Sequence, residues 1–311
     1  MAYKYKLSKE KTRKLIVKDF KRNWSVYLLV LPVLIYYLMF EYIPMYGVQI
    51  AFQDYRPAKG FGANWVGFKH FIRFFESPYV WRLIKNSLMI NWYELIFSFP
   101  IPIIIALLFN ELKSKAFKNV ANTFLYLPHF ITAVVVCAMV KQFVSADGFI
   151  GQMVGGLTGV NKSLLIQPQY FRAIFVGSGI WQSAGWGSII YGAALQGVDL
   201  QLYDAASVDG AGKWQQMWHV TLPAIAPTII LKFILALGSM LSVGSQKILL
   251  LYNESIYETA DVIGTYVHRY GMENAQYSYA TAVGLFSNLV NVTMFIAANR
   301  ISRKVANISL W

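Results

Sequence analysis

Polar side chains recur at helical spacing inside otherwise apolar stretches of this sequence, and their types suit the binding of a hydroxyl-rich solute. Ser178, Trp181 and Gln182 stand three and four residues apart, so a helix would place them on one face. A second set with similar spacing consists of Ser239, Ser242 and Gln246. An indole ring can cover the apolar face of a sugar while hydroxyl and amide groups bond its hydroxyls. The same residue types also pack helices together inside a membrane, so both interpretations remain open.

The residue patterns of catalysis are absent from the sequence. Gly212-Lys213 is not part of a P-loop, because Ser207 replaces the first glycine and Trp214 replaces the hydroxyl residue. No H-E-x-x-H motif occurs, and the four histidines are scattered over separate segments. We therefore expect no catalytic residue, no metal site and no cofactor bound by this chain, which would not be an enzyme by itself.

The composition predicts a membrane protein. Of 311 residues, 56% are hydrophobic and 14% are charged, whereas a soluble domain has about 25% charged residues. Several apolar runs reach the roughly 20 residues that a helix needs to cross a bilayer. We predict an all-α polytopic membrane protein with six spans, at residues 24–44, 86–109, 120–144, 171–197, 224–250 and 277–299.

The basic residues predict how the chain is organised around these spans. The net charge of +13 is concentrated in residues 1–23, a tail suited to anionic lipid rather than to nucleic acid. Residues 24–299 form the transmembrane domain, and residues 300–311 form a C-terminal tail. Sixteen Lys and Arg lie on the side of the termini and nine on the other, which places both termini and the segment 199–223 in the cytoplasm. Aromatic residues in the first external loop predict a helix lying on the membrane surface.

The segment 199–223 combines turn and capping residues between two apolar spans. Asp199 can cap a short helix that runs through Ala206, and Gly210 suits a left-handed turn after it. A second helix is predicted over Lys213–His219, with Pro223 ending it. An ordinary helix-turn-helix connector would also show these features.

The segment resembles the EAA loop of permease subunits in binding-protein-dependent ABC importers, whose pattern is roughly E-A-A-x-x-D-G-A, followed about ten residues later by I-x-L-P. Here the pattern reads Asp204-Ala205-Ala206, Asp209-Gly210-Ala211 and Val220-Thr221-Leu222-Pro223. Aspartate replaces glutamate at position 204 and keeps the charge. The rest of the chain is similar to the oligosaccharide branch of these permeases (the lipoprotein or polysaccharide transport type), in stretches that include 46–52, 64–68, 126–130, 181–182, 251–253 and 277–282.

The resemblance implies the type I importer fold with six transmembrane helices and a cytoplasmic coupling helix, in a prokaryotic plasma or inner membrane. It implies as partners a second homologous permease subunit, two ATPase subunits that carry ATP and Mg²⁺, and an extracellular or lipid-anchored sugar-binding protein. The chain would form half of a translocation pathway for oligosaccharides. The residues expected to contact the ATPase are Tyr203, Asp204, Ala205, Ala206, Asp209, Gly210 and Ala211.

Other functions remain open at this point. A stand-alone channel or carrier would use an ionisable residue deep in the bundle, for which Glu94 and Lys232 are isolated candidates. A membrane enzyme would need paired carboxylates, and Glu254, Glu258 and Asp261 are close in sequence. We interpret that acidic group as a solvated face. Within the importer class, a peptide or another small solute is the alternative substrate.

Overall fold

The computed structural model describes residues 18–159 and 162–310. Within these ranges the chain is almost entirely helical and forms no strand beyond an isolated bridge between Gln53 and Trp65. The basic residues predicted to contact lipid at positions 4–14 lie outside the described residues. The all-α class is confirmed.

The elements follow one another in the order of the chain. The α-helices of the first half are α1 (Trp24–Tyr37), α2 (Ile43–Met45), α3 (Lys69–Phe75), α4 (Val80–Tyr93), α5 (Pro100–Glu111), α6 (Lys115–Tyr126), α7 (Ala133–Val144) and α8 (Phe149–Thr158). Those of the second half are α9 (Pro168–Gln196), α10 (Leu200–Val208), α11 (Lys213–Gln216), α12 (Leu222–Leu237), α13 (Ser245–Leu251), α14 (Tyr257–Ala260), α15 (Ile263–His268) and α16 (Tyr277–Ala306).

Wider and tighter helical turns join several of these helices. The π-helical turns are Leu38–Tyr42, Glu94–Ser98, Met217–Thr221 and Arg269–Glu273. The 3₁₀ helices are Tyr46–Phe52, Pro57–Gly62, Leu127–Phe130, Leu164–Ile166 and Glu254–Ile256. Such π-turns are rare single turns within α-helices and are frequently found at functional sites.

Five helical stretches are long and apolar enough to cross a membrane: Trp24–Phe52, Val80–Glu111, Ala133–Thr158, Lys213–Leu237 and Tyr277–Ala306. The predicted span 171–197 coincides, apart from Gly197, with α9, a single helix of 29 residues that is not among the five. At 1.5 Å per residue α9 is about 43 Å long, which is ample for a bilayer. Its glycines and polar residues lower its hydropathy.

The prediction of an unbroken third span over 120–144 is wrong. The 3₁₀ helix Leu127–Phe130 separates α6 from α7, and Ile131 and Thr132 are extended. Pro128 has no N–H to continue the helical hydrogen bonds. The side chain of Thr132 then accepts a hydrogen bond from the Val135 N–H and caps the next helix.

The fifth span, predicted over 224–250, is also broken. Residues 238–244 between α12 and α13 are not helical. The side chain of Asn291 on α16 holds this break: its Oδ1 accepts from the Leu241 N–H at 2.8 Å, and its Nδ2 donates to Ser242 Oγ at 2.7 Å. A side chain far along the sequence therefore satisfies the backbone that the break exposes.

The loop between the first two spans contains the predicted short helix, α3, but this helix does not lie on the membrane surface alone. Phe74 is buried against Tyr266 and Phe286. Phe75 and Phe68 remain exposed. One aromatic face of this loop therefore belongs to the protein core.

Candidate functional site

The cytoplasmic segment predicted at 199–223 begins with a capped helix. The Asp199 carboxylate accepts a hydrogen bond from the Gln201 N–H at 3.0 Å, as predicted. Helix α10 runs to Val208, two residues beyond the predicted end at Ala206. Asp204 and Ala205 lie on its exposed side, while Tyr203 is partly buried.

Gly210 makes the turn that follows α10. Its φ is +79°, which confirms the predicted left-handed conformation. The Ala211 N–H donates to the Ala206 carbonyl at 2.9 Å and closes the turn. The end of α10 and the path of the chain beyond it therefore depend on this one glycine.

The second helix does not end at Pro223, so that prediction is wrong. Helix α11 continues through the π-turn Met217–Thr221 directly into α12. The wider turn accommodates Pro223, which cannot donate a helical hydrogen bond. Thr221 Oγ1 bonds the Gln216 carbonyl at 3.3 Å inside the same turn.

Two side-chain contacts tie α10 to the helix that follows it. Gln216 Nε2 donates to Ser207 Oγ at 2.9 Å and to the Ala211 carbonyl at 3.1 Å. The hydroxyls of Tyr203 and Thr221 are 2.9 Å apart and hydrogen-bonded. The segment is thus a braced unit that is continuous with a membrane helix.

The braced segment exposes large apolar side chains. Val208 is 88% exposed and Trp214 74% exposed, and Leu200 and Trp218 are also exposed. A shallow depression of about 250 Å³ lies beside them, lined by Ala206, Asp209, Gly210, Ala211, Gln215, His219 and Val220. Exposed apolar surface rimmed by polar residues is typical of a protein contact site.

Two of the polar residues predicted on α9 border a cavity. Ser178 and Trp181 line a space of about 500 Å³ whose other walls are mainly apolar side chains of α7, α8 and α9. Ser178 Oγ donates within its own helix, to the Ile174 carbonyl at 2.6 Å. Gln182 is not part of the lining of this cavity. Its Nε2 donates to the Ile131 carbonyl at 3.0 Å, at the break between α6 and α7. Trp181 is therefore the residue of this set most available to a solute.

The second polar set does not share a helix face, because it spans the break at 238–244. Ser239 donates to the Ala236 carbonyl at 2.9 Å, and Ser242 accepts from Asn291. Ser242 and Gln246 are exposed. These residues are neighbours along an irregular stretch and not a helical stripe.

The end of the bundle where α4 and α9 begin contains a buried charge cluster that the sequence did not reveal. Asp261 is fully buried, and its carboxylate accepts hydrogen bonds from Arg82 at 3.1 Å and Arg269 at 2.8 Å. Glu254 and Glu258 are exposed as expected, but Asp261 does not belong to a solvated face. Burial alone would lower the pKa of Arg269, but the hydrogen bond and charge of Asp261 outweigh it and raise that pKa.

This cluster joins the ends of several helices. Asn86 donates to the backbone carbonyls of Glu258 and Asp261 at 2.9 and 3.0 Å, and Arg172 at the start of α9 donates to Asn86 Oδ1 at 2.9 Å. A membrane enzyme with paired carboxylates does not fit this arrangement, because Asp261, the buried member of the group Glu254, Glu258 and Asp261, is paired with two arginines. The described residues also contain no group of His, Cys, Asp and Glu suited to a metal ion.

Comparison with known proteins identifies similar chains. Residues 98–307 match the family described as "Binding-protein-dependent transport system inner membrane component". The chain is 42% identical over 298 residues to the polygalacturonan/rhamnogalacturonan transport system permease protein YteP of Bacillus subtilis, covering 95% of this chain and 92% of that protein.

Solved structures show the same similarity. A chain of a bacterial ABC transporter involved in the import of the acidic polysaccharide alginate matches with a TM-score of 0.84 and 42% identity, covering 93% of this chain and 99% of the other. A structure of the bacterial alginate ABC transporter in complex with an alginate pentasaccharide-bound periplasmic protein matches with a TM-score of 0.85 and 41% identity, covering 94% and 99%.

Proposed function

We propose that this chain, which belongs to the family of binding-protein-dependent transport system inner membrane components, imports oligosaccharides as the permease subunit of an ATP-driven transporter. Permease subunits of this family are not ATPases, and ATP hydrolysis belongs to a separate subunit. The observation that carries the proposal is the braced, exposed segment 199–223, which is continuous with the membrane helix α12.

The segment 199–223 would receive the ATPase. Asp204, Ala205 and Asp209 lie on its exposed surface, and the small side chains of α10 allow another backbone to approach closely. The exposed Val208 and Trp214 add apolar contact area beside them. Because the segment is braced to α12, a movement of the ATPase would reach the membrane helices directly.

The oligosaccharide substrate is supported by the names of similar proteins and by the cavity beside α9. The named relative and the matched solved structure concern polygalacturonan or rhamnogalacturonan and alginate, all of which are polysaccharides. Trp181 borders the cavity and can cover the apolar face of a sugar ring. Ser178, Gln182, Ser239, Ser242 and Gln246 remain proposed members of the pathway.

The family and the surface of this chain support a set of proposed partners. Helix α1 contains no buried residue, so it requires lipid or a second permease subunit to cover it. We propose one homologous permease subunit, two ATPase subunits that bind ATP and Mg²⁺, and a sugar-binding protein outside. The chain is a multi-pass membrane protein, and we propose that both termini face the cytoplasm.

Purification of the tagged chain from its native membranes in mild detergent tests the assembly. We expect a second permease and an ATPase to copurify, identified by mass. A variant with Val208→Asp and Trp214→Asp should lose the ATPase and keep the second permease. A chain that purifies without any ATPase, under conditions that retain the second permease, would contradict the proposed coupling.

A further inference from the structure

A pocket with polar walls lies at the end of the bundle where α5, α6 and α9 come together. Its volume is about 190 Å³. Helix α9 ends at Gln196, shortly before the Asp199 cap of α10. An ion pair of 3.3 Å between Glu111, the last residue of α5, and Lys213 joins the two regions. The pocket therefore lies at the same end of the bundle as the segment 199–223.

Polar side chains without a partner converge on this pocket. Five of the side chains that line it make no hydrogen bond and no ion pair within the part of the chain that the structure describes: Asn110, Lys118, Asn122, Tyr126 and Gln196. The Oδ1 atom of Asn122 is in addition buried. The acidic residue nearest to Lys118 in the sequence, Glu111, is already paired with Lys213. A pocket in which a few polar groups converge is typical of a ligand site.

The pocket also lies where the chain changes from apolar to basic. The candidate membrane span Val80–Glu111 ends beside it, and Lys113 and Lys115 follow directly. Its remaining walls are mainly apolar. On the helices that form it, Leu108 of α5 and Phe124 of α6 are exposed. In a bilayer, the polar head groups of the lipids occupy such a boundary, and their acyl chains cover the exposed apolar side chains.

We infer that this pocket binds the head group of phosphatidylglycerol, a phospholipid that is anionic and carries hydroxyl groups, from the leaflet on the side of the segment 199–223. The phosphate accepts a hydrogen bond from the Lys118 ammonium. The glycerol hydroxyls donate to and accept from the amides and the Tyr126 hydroxyl, all of which can do both. The exposed Leu108 and Phe124 contact the acyl chains. The inference requires only that the chain spans a membrane.

The same chemistry disfavours the common zwitterionic lipids. Phosphatidylethanolamine brings its own ammonium close to Lys118, where the two positive charges repel each other. The quaternary ammonium of phosphatidylcholine has no N–H to donate to the oxygen of Asn110 or Asn122. Only the glycerol head group combines an uncompensated negative charge with donors for the amide oxygens. Preference among these three lipids is therefore the property to measure.

Gly192 offers a substitution that fills the pocket without a clash. It lines the pocket, and a β-carbon placed on it would meet no atom within 4 Å in the described structure, apart from the local helix backbone. The side chain of Gly192→Leu therefore takes the space of the head group, and leucine favours a helix more than glycine does. Gly156→Leu is the matched control. Gly156 is an exposed glycine of α8 outside the pocket lining, and a β-carbon there would likewise meet no atom within 4 Å.

Mass spectrometry of the intact complex measures the binding. The tagged chain is purified in detergent with the subunits that accompany it, and the three lipids are added with identical acyl chains. We expect the wild-type complex to bind phosphatidylglycerol at least about tenfold more tightly than either zwitterionic lipid. Lys118→Gln and Gly192→Leu should each remove this preference. Gly156→Leu should retain it, as should Lys115→Gln, which removes an exposed lysine of the same helix that does not line the pocket.

Other occupants of the pocket give different results. Equal binding of the three lipids by the wild type, or an equal loss of preference in Lys115→Gln, would overturn the inference. A second permease subunit that covers this surface would exclude lipid, so a complex that binds no phosphatidylglycerol also overturns it. Glycerol 3-phosphate carries the same groups without acyl chains. Displacement of phosphatidylglycerol by an equal concentration of glycerol 3-phosphate would assign the pocket to a soluble phosphate ester, and no displacement supports the lipid. If Lys118→Gln fails to assemble, Gly192→Leu decides.

Discussion

Gly210 is the residue whose substitution should uncouple the transporter with the least disturbance elsewhere. Its φ of +79° lies in the left-handed region, which only glycine adopts without cost. A β-carbon at this position would meet no atom within 4 Å in the described structure. Gly210→Val therefore introduces backbone strain and no clash.

The size of the effect follows from this conformation. The left-handed conformation is about 1–2 kcal/mol less favourable for a residue with a β-carbon, and a branched side chain makes it less favourable still. If the strain is relieved by a change of the turn, the ratio of the braced to the rearranged loop falls by a factor of about 5 to 30. ATPase association and uptake should weaken by up to the same factor, while insertion into the membrane is unchanged.

A matched control is available two residues farther on. Gly212 has φ −70° and ψ 169°, an extended conformation that any residue adopts. A β-carbon there would lie 3.8 Å from Gln215 Oε1, an ordinary contact. Gly212→Ala should therefore bind the ATPase normally. Gly210→Asn should lie between the two variants, because asparagine tolerates the left-handed region better than other residues.

The assay measures ATPase copurification, ATP hydrolysis and sugar uptake with each variant at equal membrane levels. We expect Gly210→Val either to bind the ATPase weakly or to hydrolyse ATP without importing sugar. Wild-type association and wild-type uptake in Gly210→Val would refute the coupling role of this loop. Loss of function in Gly212→Ala to the same extent would refute the conformational reason.

Three further outcomes are expected. A reporter that is active only outside the membrane should give no signal at the C-terminus; a clear signal there would invert the topology and remove the loop from the ATPase. Trp181→Ala should raise the sugar concentration needed for uptake, by a factor that corresponds to roughly 1–3 kcal/mol, while assembly persists; unchanged uptake kinetics would assign Trp181 to packing. Asp261→Ala should lower the free energy of unfolding by about 3–5 kcal/mol, because Arg82 and Arg269 lose their shared carboxylate, and should therefore lower the melting temperature in detergent. The control Glu258→Ala, at an exposed position, should leave that melting temperature unchanged. Equal melting temperatures for both variants would show that the cluster contributes no stability.

The features that the sequence predicted well depend on neighbouring residues. Asp199 caps α10 through an N–H two residues away, and Gly210 turns the chain immediately after α10 ends. The apolar runs likewise predict membrane helices because the bilayer imposes a length on them. Helix caps and turns of this kind depend on residues close in sequence, so they can be predicted without knowledge of the fold.

The features that the sequence did not predict depend on distant residues. The break in the fifth span is held by Asn291, which is 50 residues away from Leu241. The sequence predicts that Asp261 is an exposed acidic residue, but the fold places Arg82, 179 residues away, beside it. Tertiary contacts therefore determine which polar residues are structural.

ATP-driven uptake by the reconstituted complex tests the proposed function most directly. The complete transporter is placed in liposomes with ATP inside, and the binding protein and a labelled oligogalacturonate are outside. We expect sugar to accumulate inside only when ATP is present and the ATPase subunits are active. Accumulation that persists with an ATPase unable to hydrolyse ATP, or that does not require this chain, would contradict the assignment of this protein as the permease subunit.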